Sequence, residues 1–344
     1  MIARRKIILY CTVAIILFLT SWALSEIWHD FRGEAFSGPA KQLDMPDEWK
    51  QQPVRYENWA ENADLAVTLD QHLYPALLPL INKYARENNL KIAVNEGTCG
   101  ISAGLLMRKA VDIAGFCCPP GGTDRYPDLT YHTLGIGSLA ILVNPVNPVD
   151  DITFKQAQQI FQGKIHRWSE LKTAGGRPGP DVPIISAARL HCKTRPGHWR
   201  LLLSDEDHFS ARLRTVGSIQ DVMFEVYNND YAIAGFETLY MAHYRYLQGV
   251  KLKPLRIDGY SPDVQEYLVS GNYRIYHTYN LTAWTGESQK KKPVADLIDY
   301  LIRHADVIDA SFGIVPSSSL RKAGWIFTGN ELTGEPAIKH DGSS

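Results

Sequence analysis

Between Ala63 and Phe116, short apolar runs alternate with helix-period segments, and this alternation constrains the fold more than any other feature of the chain. Ala63-Asp-Leu-Ala-Val-Thr68 reads as a strand, after which Leu73, Leu77, Ile81 and Tyr84 share one helical face. Lys91-Ile-Ala-Val94 is a second strand. Gly97-Thr-Cys-Gly100 then opens a short helix ending near Lys109, and Val111-Asp-Ile-Ala-Gly-Phe116 is a third strand. Strand, helix, strand, helix, strand at this spacing predicts a parallel α/β sheet.

The pattern continues beyond Gly135. Ser138-Leu-Ala-Ile-Leu-Val-Asn144 reads as a buried strand running into Pro145 and Pro148. Thr153 and Gln156 form a capping box, in which each side chain satisfies the other's backbone N–H. The helix they open presents Phe154, Ala157, Ile160 and Phe161 and stops at Gly163. Val182 to Ser186, Ala232 to Phe236, Leu252 to Ile257 and Tyr273 to Tyr276 read as further strands, and Asp296 to Ile302 as an amphipathic helix.

The ends differ from this body. Arg4-Arg5-Lys6 precedes an apolar run from Ile7 to Leu24, about 18 residues and just long enough to span a bilayer. A basic segment before an apolar run is the pattern of a signal peptide, cleavable near Ala23-Leu24-Ser25, or of an N-terminal membrane anchor. The flanking charges predict a cytoplasmic N-terminus and an exported body. Cys11 lies inside the run and reads as a small lipid-facing residue. The expected organisation is a signal or anchor over 1–25, a linker over 26–62, one lobe from 63–142 plus 272–330, a second from 143–271, and a polar tail over 331–344.

Charge narrows the function. The 36 basic residues nearly balance 37 acidic ones, without the basic excess that nucleic-acid binding leaves, so no nucleic-acid partner is expected. No nucleophile–base pattern and no Cys-x-x-Cys motif can be placed, which argues against an enzyme, a thiol oxidoreductase included.

Several landmarks fall in a recognisable order: Val111-Asp-Ile-Ala, Leu142-Val-Asn-Pro-Val-Asn-Pro, Ile160-Phe-Gln-Gly-Lys-Ile-His-Arg-Trp168, Arg189 after a strand, and Tyr231-Ala-Ile-Ala-Gly-Phe236. Over about residues 64–316 the chain resembles the phosphate-binding substrate-binding proteins of ABC uptake systems, the type II periplasmic "Venus flytrap" class. The resemblance implies an α/β protein of two lobes with a ligand cleft between them, closing by a hinge. It also implies an ABC permease as partner; with the N-terminal segment, the expected location is the periplasm, free or anchored to the inner membrane, and a sensor that reports its ligand to a membrane kinase is the alternative.

The departures from that family are chemical. Where the family carries hydroxyls in its first ligand loop, this chain has Leu69-Asp70-Gln71-His72, and Asp70 also reads as a helix cap. Thr98-Cys99-Gly100 stands where a Ser-Gly pair is expected, and Cys117-Cys118 where a Ser follows the third strand. In the fourth loop Arg189 remains, while Leu190-His191-Cys192-Lys193 replaces the hydroxyl-rich run.

The four cysteines of the body thus fall on the loops that should face the cleft. Thiols are poor hydrogen-bond donors but good ligands for soft metals. The expected ligand-contacting set is Asp70, Gln71, Thr98, Cys99, Gly100, Cys117, Cys118, Arg189, His191 and Cys192. Cys99, Cys117, Cys118 and Cys192 are the expected ligands for a metalloid such as arsenite, a soft metal or a metal–sulfur centre. His72, His132, His191 and His198 are further nitrogen candidates, with His191 foremost. Three alternatives remain open from the residues alone: a disulfide (Cys99 with Cys192, or Cys117 with Cys118), inert core packing, and ordinary phosphate binding with Lys193 and Arg195 as donors.

Overall fold

The computed structural model describes residues 36, 42–120, 124–192, 195, 196, 198–245, 251–286 and 291–336. Its frame is two mixed sheets. The first contains β1 (Leu65–Asp70), β2 (Ile92–Gly97), β3 (Ile113–Phe116) and β4 (Leu129–Ser138). The second takes β5 (Ala140–Val143), β6 (Ile185–Ala188), β7 (Arg214–Thr215), β8 (Ala232–Glu237) and β9 (Lys253–Pro254). The chain then returns to the first sheet through β10 (Tyr276–Trp284) and β11 (Ile314–Pro316). The strand orders are β11-β4-β10-β3-β1-β2 and β7-β6-β8-β5-β9.

Only part of each sheet is parallel. β1 pairs in parallel with β2 and β3, whereas β10 runs antiparallel to both β3 and β4. The geometry follows from connectivity: β4 carries the chain towards the second sheet, and β10 brings it back along the same line. The run expected to be one strand from Ser138 to Asn144 is therefore divided at Leu139, where the chain changes sheets. The return passes Ile275, and the Leu139 N–H donates to the Ile275 carbonyl at 2.9 Å, so the two crossings lie side by side. The Tyr273 hydroxyl donates to the Leu139 carbonyl at 2.8 Å, tying them further.

Among the described residues, five helices of eight or more residues pack on the sheets: α1 (Leu73–Glu87), α2 (Cys99–Met107), α3 (Phe154–Phe161), α4 (Ile219–Tyr227) and α5 (Lys292–Arg303). The helical face read from sequence is the one that packs, since Leu73, Leu77 and Ile81 are fully buried. They share a core with Phe116, Leu281, Leu297 and Leu301. The capping box of α3 is present, with the Thr153 hydroxyl accepting from Gln156 N at 3.0 Å and the Gln156 side chain accepting from Thr153 N at 2.9 Å.

Two segments differ from their sequence reading. Residues 42–62, expected as a linker, are docked on the first sheet's side of the molecule. The Trp49 indole donates to the Met107 carbonyl at 2.8 Å, and its ring lies 4.2 Å from the Lys109 ammonium. Lys109 in turn donates to the Lys50 and Gln52 carbonyls at 3.0 Å each. In the tail, Glu331–Gly334 pairs with Ile326–Thr328, and Glu331 meets Arg125 at 2.5 Å. Both segments are held by backbone acceptors, cation–π contact and a buried ion pair, none of which leaves an apolar period to read. The expected signal or anchor, with Cys11, lies outside the described residues. Among the described residues no helix is long and apolar enough to cross a membrane.

Candidate functional site

The loops at the strand ends of the first sheet converge on side chains from the second. β1 ends at Asp70, whose Oδ1 accepts from the His72 N–H at 2.7 Å and the Leu73 N–H at 3.3 Å. Asp70 therefore caps α1, and its other oxygen, Oδ2, is buried without a hydrogen-bond partner. Gln71 is half-buried in the same turn. β2 leads to Thr98, whose hydroxyl accepts from Ile101 N at 3.3 Å and caps α2. Cys99 is the first residue of that helix and is buried, with Gly100 half-buried behind it. Cys117 and Cys118 directly follow β3 and are also buried.

The three thiols meet. Cys99 Sγ lies 3.5 Å from Cys117 Sγ, and the sulfurs of Cys99, Cys117 and Cys118 all lie within 4.8 Å of one another. None of the three is bridged. Hydrogen bonds from Cys117 and Cys99 hold the Cys118 thiol well below the ordinary range despite burial, while the bond to Cys118 pushes the Cys117 thiol up.

Three imidazoles surround the thiols. His198 stands in the segment after β6, its Nε2 at 3.5 Å from Cys117 Sγ and its Nδ1 at 3.1 Å from the Phe236 carbonyl. His277, the second residue of β10, has its Nδ1 3.0 Å from the Cys117 carbonyl, and its Nε2 is buried without a partner. A carbonyl can only accept, so in both rings Nδ1 carries a proton. Burial would lower the His198 pKa, but the charge and hydrogen bond of the Cys118 sulfur raise it. Burial and the charges of His198 and His72 push the His277 pKa well down, keeping that ring neutral. His72 is placed otherwise, with Nε2 3.2 Å from Glu237 Oε2 and Nδ1 3.4 Å from Asp70 Oδ1. Burial would lower its pKa, but the two carboxylates outweigh burial and raise it to about 10. His72 is thus an imidazolium clamped between a carboxylate of each lobe.

Glu237 reaches the site through a bulge. The β8–β5 register shifts between Gly235 and Glu237, and the intervening Phe236 has φ +120°, a region costly for a residue with a side chain. Bulges re-aim side chains in this way. Burial alone would raise the Glu237 pKa, yet hydrogen bonding to His72 and the charges of His72, His198 and Arg189 bring it down.

Of the expected set, Asp70, Cys99, Cys117 and Cys118 come together. Arg189 is half-buried, and its charge acts on Glu237. His191 does not join them: it is exposed and pairs with Glu206 Oε2 at 3.0 Å, because its two-residue hairpin strand turns it towards solvent. The side chains of Cys192, Lys193 and Arg195 lie outside the described residues. His132 lies elsewhere, against Thr130 and Asn330. His277 and Glu237 were not anticipated. The first sits in a strand whose nine residues are all buried, the second at a register shift, and neither position leaves a periodic signal.

A family model described as a PBP superfamily domain matches residues 57–190. The phosphate-binding protein PstS of Bacillus subtilis (strain 168) is 27% identical over 248 residues, which are 70% of this chain and 75% of PstS. An ABC-type phosphate transport receptor from Vibrio cholerae superposes with a TM-score of 0.57 at 19% identity, covering 73% of this chain and 99% of its own. A substrate-binding protein of Clostridium perfringens solved with bound phosphate gives 0.60 at 16%, covering 73% and 98%. This is the phosphate-binding-like, two-lobed type II fold. The thiols and His72 occupy the ends of the parallel strands β1 to β3, facing the opposite lobe, where open α/β sheets hold ligands.

Proposed function

We propose that this chain is an exported substrate-binding protein, tethered by its N-terminal segment on the periplasmic side of the inner membrane, whose cleft captures a thiophilic inorganic ligand. It binds rather than catalyses, and it hands its ligand to an ABC permease or reports it to a membrane kinase. The lobes on either side of Leu139 and Ile275 act as jaws. One observation carries this reading: Cys99, Cys117 and Cys118 are buried, unbridged and mutually within 4.8 Å at the cleft. Three sulfurs so placed suit a trivalent metalloid or a soft metal ion far better than a phosphate, which needs strong donors.

Phosphate is the second reading, favoured by the PstS likeness. The unpartnered Asp70 Oδ2 could accept the O–H of a protonated phosphate. Calorimetry on the full-length chain under reducing conditions separates the two, titrating arsenite, Cu(I), Zn(II) and phosphate into wild type and Cys99→Ser/Cys117→Ser. The thiol reading expects tight arsenite or metal binding that the double variant abolishes. Tight phosphate binding indifferent to that variant would establish the second reading instead.

A further inference from the structure

The proposed thiophilic cleft leaves its ligand class undecided between a metalloid and a metal ion, and the imidazoles decide it. Resting on that reading, we propose that Cys117 Sγ, His198 and His277 form a seat for a copper(I)-class ion that spans both lobes.

The argument is geometric. A sulfur and one nitrogen from each ring, those of Cys117, His198 and His277, lie within 4.8 Å of one another. Metal–sulfur and metal–nitrogen bonds near 2.3 and 2.0–2.1 Å put sulfur and nitrogen ligands ~3.5 Å apart in a tetrahedral site, and two sulfurs ~3.8 Å apart. Cys117 Sγ stands 3.5 Å from His198 Nε2, and 3.5 Å from Cys99 Sγ. The Cys117–His198 edge of the seat is thus close to a metal's dimensions already, and the edges to His277 lie within 4.8 Å.

The surroundings fit as well. Ligating histidines characteristically donate their second N–H to a carbonyl, which sets the tautomer and aims the ring. His198 does so to Phe236 and His277 to Cys117. His277 is 2 % exposed, and its Nε2 has no hydrogen-bond partner, a costly arrangement for a buried acceptor unless something coordinates it. Gly137 keeps that nitrogen clear, since a Cβ there would sit 2.8 Å from His277 Nε2. His72 is not part of the seat because both its nitrogens face carboxylates, Nε2 at 3.2 Å from Glu237 and Nδ1 at 3.4 Å from Asp70.

A trivalent metalloid would use the three thiols and leave both imidazoles idle. Two imidazoles and one cysteine sulfur, which give up their protons as the metal binds, make a copper-type donor set, and sulfur neighbours favour the monovalent ion. His198 comes from the lobe opposite Cys117 and His277, so coordination would also fasten the jaws.

The test measures Cu(I) affinity of the full-length chain anaerobically, by competition with bicinchoninate, beside arsenite affinity by calorimetry. Stoichiometric Cu(I) binding is expected, and the ratio of Cu(I) to arsenite affinity should fall at least tenfold in both His198→Ala and His277→Ala. X-ray absorption of the Cu(I)-loaded wild type should show imidazole nitrogen beside sulfur, a readout that does not depend on any variant folding. Sulfur-only coordination, or an unchanged ratio in both variants, overturns the imidazole seat while leaving the thiol reading intact. Absence of both Cu(I) and arsenite binding in wild type would overturn both.

Discussion

At the scale of single residues, His72 makes the sharpest prediction. Its folded pKa of about 10 lies above the ~6.5 of an unfolded imidazole. The stabilisation from its two carboxylates is therefore complete below about pH 6.5 and is lost as pH rises through the folded value. In the metal-free, reduced protein the urea midpoint should fall between pH 7 and 10, and His72→Gln should flatten that slope. In Glu237→Gln the His72 ring signals should titrate at lower pH by NMR. Gly137→Ala should destabilise by about 1–3 kcal/mol, read from urea unfolding, because the new Cβ would lie 2.8 Å from His277 Nε2 and 2.9 Å from the Tyr279 ring. Cys99, Cys117 and Cys118 were legible because each stands next to a strand or helix boundary that aligns with a ligand loop of the family the chain resembles. His277 was not, because its neighbours Tyr276, Thr278, Tyr279 and Asn280 are all buried and mix polar with aromatic side chains. Its role depends on Cys117, 160 residues away in sequence.

Among elements, α3 and the turn after it show which local rules survive folding. Gly163 stops the helix at φ +75°, and Ser210 packs so closely that a Cβ at 163 would lie 2.5 Å from its hydroxyl oxygen. Trp168, which ends the same motif, is fully buried, and its indole donates to the Tyr231 carbonyl at 2.9 Å. The motif most diagnostic of the resemblance is thus a packing device of the second lobe rather than a ligand contact. Removing the cap with Thr153→Ala should cost about 1 kcal/mol in urea unfolding and leave Cu(I) and arsenite affinities unchanged. Short-range signals such as capping boxes and helical faces can be read locally. The antiparallel pairing of β3, β4 and β10 could not, because it depends on where β4 and β10 meet across the molecule.

For the molecule as a whole, closure is recorded by contacts between lobes: His72 with Glu237 at 3.2 Å, Cys117 with His198 at 3.5 Å, and Glu96 with Arg245 at 2.8 Å. The last pair is partly exposed and should be worth at most about 1 kcal/mol. Arg245→Ala is accordingly expected to change Cu(I) affinity by less than about fivefold. Small-angle scattering should show the wild type contracting on Cu(I) addition and His198→Ala failing to contract. The side-by-side crossings at Leu139 and Ile275 would confine any such motion to one hinge line. A different consequence lies in how His277 meets position 117. The ring is held by a backbone carbonyl, which every amino acid supplies, so the scaffold is blind to whether the side chain there ends in sulfur or oxygen. Evolution could pass between an oxyanion pocket and a thiol pocket by single-atom exchanges, each intermediate still folding around the same histidine.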